Sequence, residues 1–279
     1  MSKCVLCGHL EFKPIYTLKR HIIERCVVCS LVRTRSIRVK EKIDYSDYYR
    51  DSDYEKYEAY FRNIFQKRYN LITKWRKLPG RVLDVGASSG VLLDIFKENG
   101  WDTWGVELSN AGNLAKKKGH NITRSSIESA KLNKDFFDVV VLNHTLEHLK
   151  DPLSVLKKIK TFTKKGGYVY IDVPNFGSMD AQIKKAKWWQ LLPDEHLYHF
   201  TPSTIGKMLE KAGFEIKWTS TWSGVFDNAN QLNKIWLQIS SKEKHFYKNL
   251  IIDFLMLPFN VITKLLNRGT GLAAIARKA

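Results

Sequence analysis

The sequence predicts a doubly wound α/β fold, a mostly parallel sheet with helices on both faces, preceded by a small cysteine-clamped module. Three observations carry that prediction. Beyond Pro79-Gly80 short apolar strands alternate with helix-like segments, as expected where crossover helices cover both faces of a parallel sheet. An apolar strand, a turn of small residues and an apolar helix follow one another between Val82 and Phe96. All four cysteines fall into two Cys-x-x-Cys pairs near the N-terminus.

Residues 1–38 hold the cysteine pairs, with β-like stretches at 15–18 and 21–24. This piece is too small to fold on apolar burial alone. Residues 39–78 form a connector rich in tyrosine, in which the spacing of Phe61, Ile64, Phe65, Leu71, Ile72 and Trp75 predicts an amphipathic helix. Residues 79–279 are the main domain. Strands are expected at 81–85, 103–106, 137–142 and 168–173, and helices at 91–99, 110–118, 152–160 and 202–212. Gly100, Gly119 and Gly213 stand just past three of these helices, where a left-handed residue ends a helix at low cost. A strand through 214–219, a helical amphipathic insertion at about 227–268 and an apolar run at 271–276 complete the chain.

A chain of 279 residues that is 44% hydrophobic can bury one core of the usual domain size with a small appendage. Its formal charge of +18 attracts nucleic acid, anionic lipid or phosphorylated substrates, and charge alone does not choose among them. Cys4 and Cys7 stand where a signal peptide would carry its apolar run, so a cytoplasmic location is expected. The most apolar stretch, 250–266, is broken by Asp253, Pro258, Asn260 and Lys264, which argues against a spanning helix. Preceded by Lys242, Lys244 and Lys248, it suits either peripheral contact with an anionic membrane surface or packing on the domain or a second subunit.

Cys4, Cys7, Cys26 and Cys29, with 18 residues between the pairs, have the spacing of a tetrahedral Zn²⁺ site in a ribbon-like knuckle. Four thiolates close the coordination shell, so the metal would be structural, with His9 and His21 spare.

In Val82-Leu83-Asp84-Val85-Gly86-Ala87-Ser88-Ser89-Gly90 the small-residue turn lets a ligand approach the backbone, and the N–H groups at the start of the next helix favour a nucleotide or a carboxylate. Any strand-turn-helix needs small residues there, so the position of Glu107 matters: it ends the next strand at the spacing where a carboxylate holds ribose hydroxyls. A nicotinamide-binding loop would show G-x-G-x-x-G, whereas these glycines fall at 86 and 90.

The segment Leu83 to Gly90 resembles the first motif of the class I S-adenosylmethionine-dependent methyltransferases. Phe136-Phe137-Asp138-Val139-Val140 followed by Leu146-Glu147-His148-Leu149-Lys150-Asp151-Pro152 is similar to the family's fourth strand and the helix after it, and Gly166-Gly167 to the entry of its fifth. The run at 271–276 resembles its last strand, inserted antiparallel. The resemblance implies a seven-stranded Rossmann-like sheet. It also implies that Asp84, Gly86, Ala87, Ser88 and Gly90 form the cofactor loop, with Gly86, Ala87 and Ser88 against the methionine part. Glu107 would then hold the ribose, Ser126 and Ile127 the adenine, and Asn143 and His144 the methionyl side. Ser88 departs from the family's usual glycine.

On the acceptor side, Glu195 beside His196 suits a general base whose tautomer the carboxylate fixes; the alternative is that His196 and His199 satisfy loop carbonyls. Glu195-His196-x-x-x-Phe200 resembles the Glu-His motif of zinc-carrying sugar C-methyltransferases, but the tyrosine expected just before it is absent, which leaves carbon and oxygen acceptors equally open. The Asp/Asn-Pro-Pro-Tyr signature of amine methylation on nucleic-acid bases is also missing, Asn143-His144-Thr145 being its nearest equivalent. The leading expectation is thus a methyltransferase acting on a small-molecule or glycan acceptor. A zinc-assisted RNA methyltransferase comes second, and a non-catalytic cofactor-fold module third. Only RNA binding should weaken steeply with salt.

Overall fold

The structure, a computed structural model, describes residues 2–37, 58–222 and 257–279. The tyrosines of the connector up to Tyr57, and most of the insertion expected at 227–268, lie outside the described residues.

The main sheet is built from β4 (Arg81–Val85), β5 (Asp102–Glu107), β6 (Asn121–Arg124), β7 (Phe137–Asn143), β8 (Thr163–Pro174), β10 (Phe214–Trp222) and β11 (Gly271–Lys278). Its spatial order is β10-β11-β8-β7-β4-β5-β6. The five strands from β8 to β6 are parallel, and β11 enters antiparallel between β8 and β10. All seven residues of β7 except Asn143 are buried, as a central strand covered on both faces requires. β6, by contrast, is a polar edge strand that no apolar pattern announces.

The helices follow from local chemistry. α2 (Val91–Glu98) buries Val91, Leu92, Leu93, Ile95 and Phe96 and leaves Lys97 and Glu98 exposed, because it packs between the sheet and α1 (Glu58–Thr73), whose Tyr69 meets Phe96 edge to face at 5.0 Å. α3 (Ala111–Lys117) follows β5. α4 (Pro152–Phe162) starts at Asp151, whose side chain accepts from Ser154 N, with proline at the first turn. A short α5 (Met179–Lys184) follows β8. α6 (Pro202–Lys211) opens with a reciprocal Thr201/Thr204 cap.

A second, antiparallel sheet has the order β1-β2-β3-β9, from β1 (Phe12–Thr17), β2 (His21–Cys26), β3 (Val32–Ser36) and the two-residue β9 (Tyr198–His199). The last of these belongs to the main domain, so the N-terminal sheet is completed by a distant loop, with Val32 opposite His199 and Arg33 opposite Tyr198. Cys4, Leu6, Cys26 and Leu31 share one apolar core with Leu83, Val140 and Phe200. Near the C-terminus α7 (Leu257–Leu265) exposes Val261, Ile262 and Leu265. No helix among the described residues is long and apolar enough to cross a membrane.

One close approach links the fold to the site. A Cβ added at Gly105 in β5 would stand 2.9 Å from Ala87 Cβ in the first turn and 2.7 Å from Ile122 Cδ1. The isoleucine tip can swing away, but the turn cannot retreat. Gly105→Ala should therefore destabilise the protein by about 1–3 kcal/mol, read as a lower urea midpoint; an unchanged midpoint would mean the turn yields freely.

Candidate active site

β4 and β7 lie side by side, yet the chain leaves them toward opposite edges of the sheet, β4 leading to β5 and β7 to β8. Such a reversal opens a crevice beyond the carboxyl ends of the two strands. Residues Val85 to Gly90 and Asn143 to Thr145 form its two lips. Thr145 Oγ1 donates to the Val85 carbonyl at 2.8 Å and ties them together. Gly86 turns the first lip at φ 83°, and a Cβ there would lie 2.8 Å from Thr145 Oγ1. Glycine is thus needed twice over, for backbone conformation and for space.

The turn is fixed by its own hydrogen bonds. Gly86 N donates to Val106 O at 2.8 Å and Gly90 N to Ala87 O at 2.9 Å. Ser88, where glycine is usual, adopts φ 45° all the same, at the cost an L-residue incurs in the left-handed region. Glu107 secures it: one carboxylate oxygen accepts from Ser88 N and the other from Ser109 N, both at 2.7 Å. A carboxylate has about four acceptor positions, so each oxygen keeps capacity for a ligand hydroxyl.

A cleft opens between this turn, Asp84, Leu92, Asn143 and Phe65, the last reaching in from α1. Burial, reinforced by the nearby charge of Glu107, pushes the Asp84 carboxyl up to about 7, and its Oδ1 has no hydrogen bond. A buried carboxylate in that state favours a cationic ligand, which would restore its ionised form. Ser126 and Ile127 stand on the loop after β6, outside this lining, with Ile127 buried in the core.

On the second lip His144 has φ 51° and a side chain that is 33% exposed. Its Nδ1 lies 3.4 Å from Glu147 Oε1 and its Nε2 3.8 Å from Asp172 Oδ1. Both carboxylates are buried. Asp172 Oδ2 accepts from Arg68 Nε at 2.6 Å and from the Tyr170 hydroxyl at 3.3 Å. Burial would raise Glu147, but contact with His144 and the charges of the surrounding imidazoles hold it down to about 2. Neither Glu147 nor Asp172, nor the α1 residues Phe65 and Arg68, was marked as a site residue by sequence patterning. Only the tertiary fold brings them together.

His196 is placed differently from its expected role. It is 2% exposed, its ring packs on His148 at 4.8 Å, and its Nδ1 donates to the Gln190 carbonyl at 2.9 Å. That carbonyl sets the tautomer, the task expected of the Glu195 carboxylate, while the backbone carbonyl of Glu195 lies 3.3 Å from His148 Nδ1. Burial pushes His196 down to about 4, so the ring is neutral and enclosed. His199 likewise meets Thr34 Oγ1 at 2.9 Å in the inter-sheet seam.

The four cysteines converge. Cys4 and Cys29 sulfurs lie 3.4 Å apart, Cys7 and Cys26 sulfurs 3.5 Å apart, and all four lie within 4.8 Å of one another. The two pairs repeat one local geometry. Sγ of Cys4 accepts backbone bonds from Leu6 and Cys7, and Sγ of Cys26 from Val28 and Cys29. Gly8 N then bonds Cys4 O and Ser30 N bonds Cys26 O, both donors at positive φ. Burial raises the Cys4 and Cys29 thiols, whereas at Cys26 backbone N–H groups outweigh burial and hold the thiol at about 7. Four sulfurs this close can all ionise only around a cation, and the donor set suits a tetrahedral one. His21 is engaged elsewhere, with Nε2 2.8 Å from Asp194 Oδ1.

Comparison with known proteins agrees with this geometry. A family model described as a methyltransferase domain matches residues 56–217. Ubiquinone biosynthesis O-methyltransferase of Nitrosospira multiformis is 30% identical over 165 residues, which are 54% of this chain and 69% of that protein. Relatives of the same name are covered over 61% to 71% of their length. Among solved structures, phosphoethanolamine N-methyltransferase 2 of Haemonchus contortus with S-adenosyl-L-methionine superposes with TM-score 0.62 at 18% identity, over 88% of this chain and 62% of that one. An S-adenosylmethionine-dependent methyltransferase of Archaeoglobus fulgidus does so with TM-score 0.54 at 24% identity, over 82% and 100%. At these identities the structures share the fold alone. Crevice, strand order and family match converge: the chain belongs to the methyltransferase domain family and is an S-adenosylmethionine-dependent enzyme.

Proposed function

We propose that the protein transfers the methyl group of S-adenosylmethionine to a hydroxyl of a small-molecule or glycan acceptor. The observation that carries this reading is the crevice between β4 and β7, where a cleft containing buried Asp84 adjoins a lip bearing a partly exposed histidine. The O-methyltransferase relatives support an oxygen acceptor. When bound, the cofactor supplies an electrophilic methyl group on a sulfonium. In this reading Asp84 favours the cationic end, the turn 86–90 admits the methionine part, and the spare acceptor positions of Glu107 meet the ribose hydroxyls. Asn143 lines the methionyl side, and Ser126 and Ile127 border the adenine. Most of the acceleration then comes from holding acceptor oxygen and methyl carbon in line. Incubating the protein with S-adenosylmethionine and either catechol or sugar nucleotides should give products heavier by one methyl group. Methylation confined to added RNA would refute the proposal.

Asp84 gives a test with opposite signs. Its folded value of about 7 lies above the ordinary carboxyl value of 3.8, so the stability linked to its proton is fully present below the ordinary value and is lost as pH rises through 7. At pH 8 Asp84→Asn should raise the melting temperature of the cofactor-free protein. It should also weaken S-adenosylmethionine binding roughly 10-fold or more, the worth of a charge-assisted contact. A variant that melts lower and binds normally would place Asp84 in a purely structural role.

For the cysteine cluster we propose one structural Zn²⁺ held by Cys4, Cys7, Cys26 and Cys29. Elemental analysis should find one zinc per chain, and Cys26→Ser should lose the metal and lower the thermal midpoint. A fully folded, metal-free protein with four titratable thiols would contradict it.

A further inference from the structure

We propose that His144 is the general base that takes the proton of the acceptor hydroxyl, with Glu147 as the positioning residue behind it. The inference rests on the hydroxyl-acceptor reading above and deepens it.

Three independent observations converge on this residue. His144 stands on the lip of the crevice directly after Asn143, which lines the cofactor cleft, and is partly open to solvent. Its backbone is held in the left-handed region at φ 51° while its N–H bonds the Asp172 carbonyl at 2.8 Å. A histidine pays a conformational cost there, and such costs persist where the surroundings over-determine a functional geometry. Finally, two buried carboxylates face its two ring nitrogens. Glu147 Oε1 and Oε2 and Asp172 Oδ1 are enclosed and make no hydrogen bond, which is expensive for acceptors out of water. Nδ1 is 3.4 Å from Glu147 Oε1 and Nε2 is 3.8 Å from Asp172 Oδ1. An imidazolium at this position would answer both, so the surroundings complement the form of His144 that exists after proton uptake.

The charges facing the ring agree. Burial opposes its charged form, but contact with Glu147 and the negative charge of Asp172 outweigh burial, and Arg68 on α1 subtracts a little, leaving the ring above its ordinary value. His196 differs: the Glu147 carboxylate is near it too, but the ring is enclosed behind His148, with Nδ1 committed to the Gln190 carbonyl.

The step balances simply. With Nδ1–H directed at Glu147, the Nε2 lone pair accepts the hydroxyl proton as the acceptor oxygen bonds the methyl carbon. The carbon–sulfur bond breaks, and its electron pair stays on sulfur as a neutral thioether. The proton on Nε2 then leaves to solvent through the exposed edge of the ring.

The test uses the full-length protein with S-adenosylmethionine and catechol as probe acceptor, following kcat against pH. Unmodified protein should show activity rising with pH through a single acidic limb, because the base works only when neutral. His144→Asn keeps an amide donor for Glu147, tolerates positive φ and cannot take a proton. It should lower kcat by about 10²-fold or more and abolish the limb in protein that still binds S-adenosylhomocysteine. Glu147→Gln removes a negative charge from the ring and should move the limb to lower pH, which loss of packing alone would not do. Turnover by His144→Asn within threefold of the unmodified protein, or a limb unmoved in Glu147→Gln, overturns the base while leaving hydroxyl methylation standing. If unmodified protein binds the cofactor yet methylates neither catechol nor sugar nucleotides, the hydroxyl reading falls and the base with it.

Discussion

The site depends on the parting of β4 and β7 and on the bond that bridges their ends. Because the chain leaves these two strands in opposite directions, nothing in the sheet covers the gap beyond them. The Thr145 hydroxyl on the Val85 carbonyl keeps the lips a fixed distance apart. Gly86 allows that distance to be short, since any side chain there would meet Thr145. With the lips pinned, Asp84 and Asn143 face one cleft, and His144 is left at its rim. The neighbouring strand contributes through Glu107, whose grip on Ser88 N imposes the curl of the first turn from outside.

The N-terminal sheet buttresses the same place from behind. Strand β3 pairs with Tyr198 and His199, Thr34 N donates to Leu197 O, and Leu197 N in turn donates to Glu147 O at 2.8 Å. The path from the cysteine knuckles to the backbone of Glu147 is therefore short and hydrogen-bonded throughout. Lys211 Nζ on the Leu6 carbonyl and His21 on Asp194 fasten the seam at two further points. A module too small to hold a core of its own shares that of the main domain and, in exchange, stiffens the loop 190–200 against which the histidine cluster packs.

How much of this could be read from the sequence follows from the range of the interactions. Strands β4 and β7 are apolar runs ended by turn chemistry, and their expected limits, 81–85 and 137–142, match the observed ones within a residue. The polar edge strand β6 and the strands β3 and β9 were not legible. Their residues are polar or few, and β3 with β9 exists only through a long-range pairing. The first turn was legible for the same local reason as β4, and its departure at Ser88 proves to be a strained serine rather than a different turn. The histidine site was not. Arg68 meets Asp172 across 104 positions of sequence, and His196, adjacent to an inviting glutamate, is turned toward a carbonyl instead. Adjacency in sequence pairs Glu195 with His196, but packing turns the Nδ1 of His196 to the Gln190 carbonyl and brings Glu147 and Asp172 to the two ring nitrogens of His144.

The charge distribution completes the physical picture. The chain carries a formal +18, yet the crevice gathers Asp84, Glu107, Glu147 and Asp172 around its mouth and floor. The two signs act at different ranges. The excess of lysine and arginine acts over about a Debye length, roughly 10 Å at moderate salt, and draws anionic molecules toward the surface. Within the crevice Asp84, Glu147 and Asp172 are buried and little screened; Arg68 pairs with Asp172, and the unbonded Oδ1 of Asp84 favours a cation. A sulfonium cofactor fits that inner environment. In the proposed reaction sulfur loses its positive charge and the acceptor hydroxyl its proton, and a partly exposed histidine at the rim, backed by buried carboxylates, is placed to receive that proton.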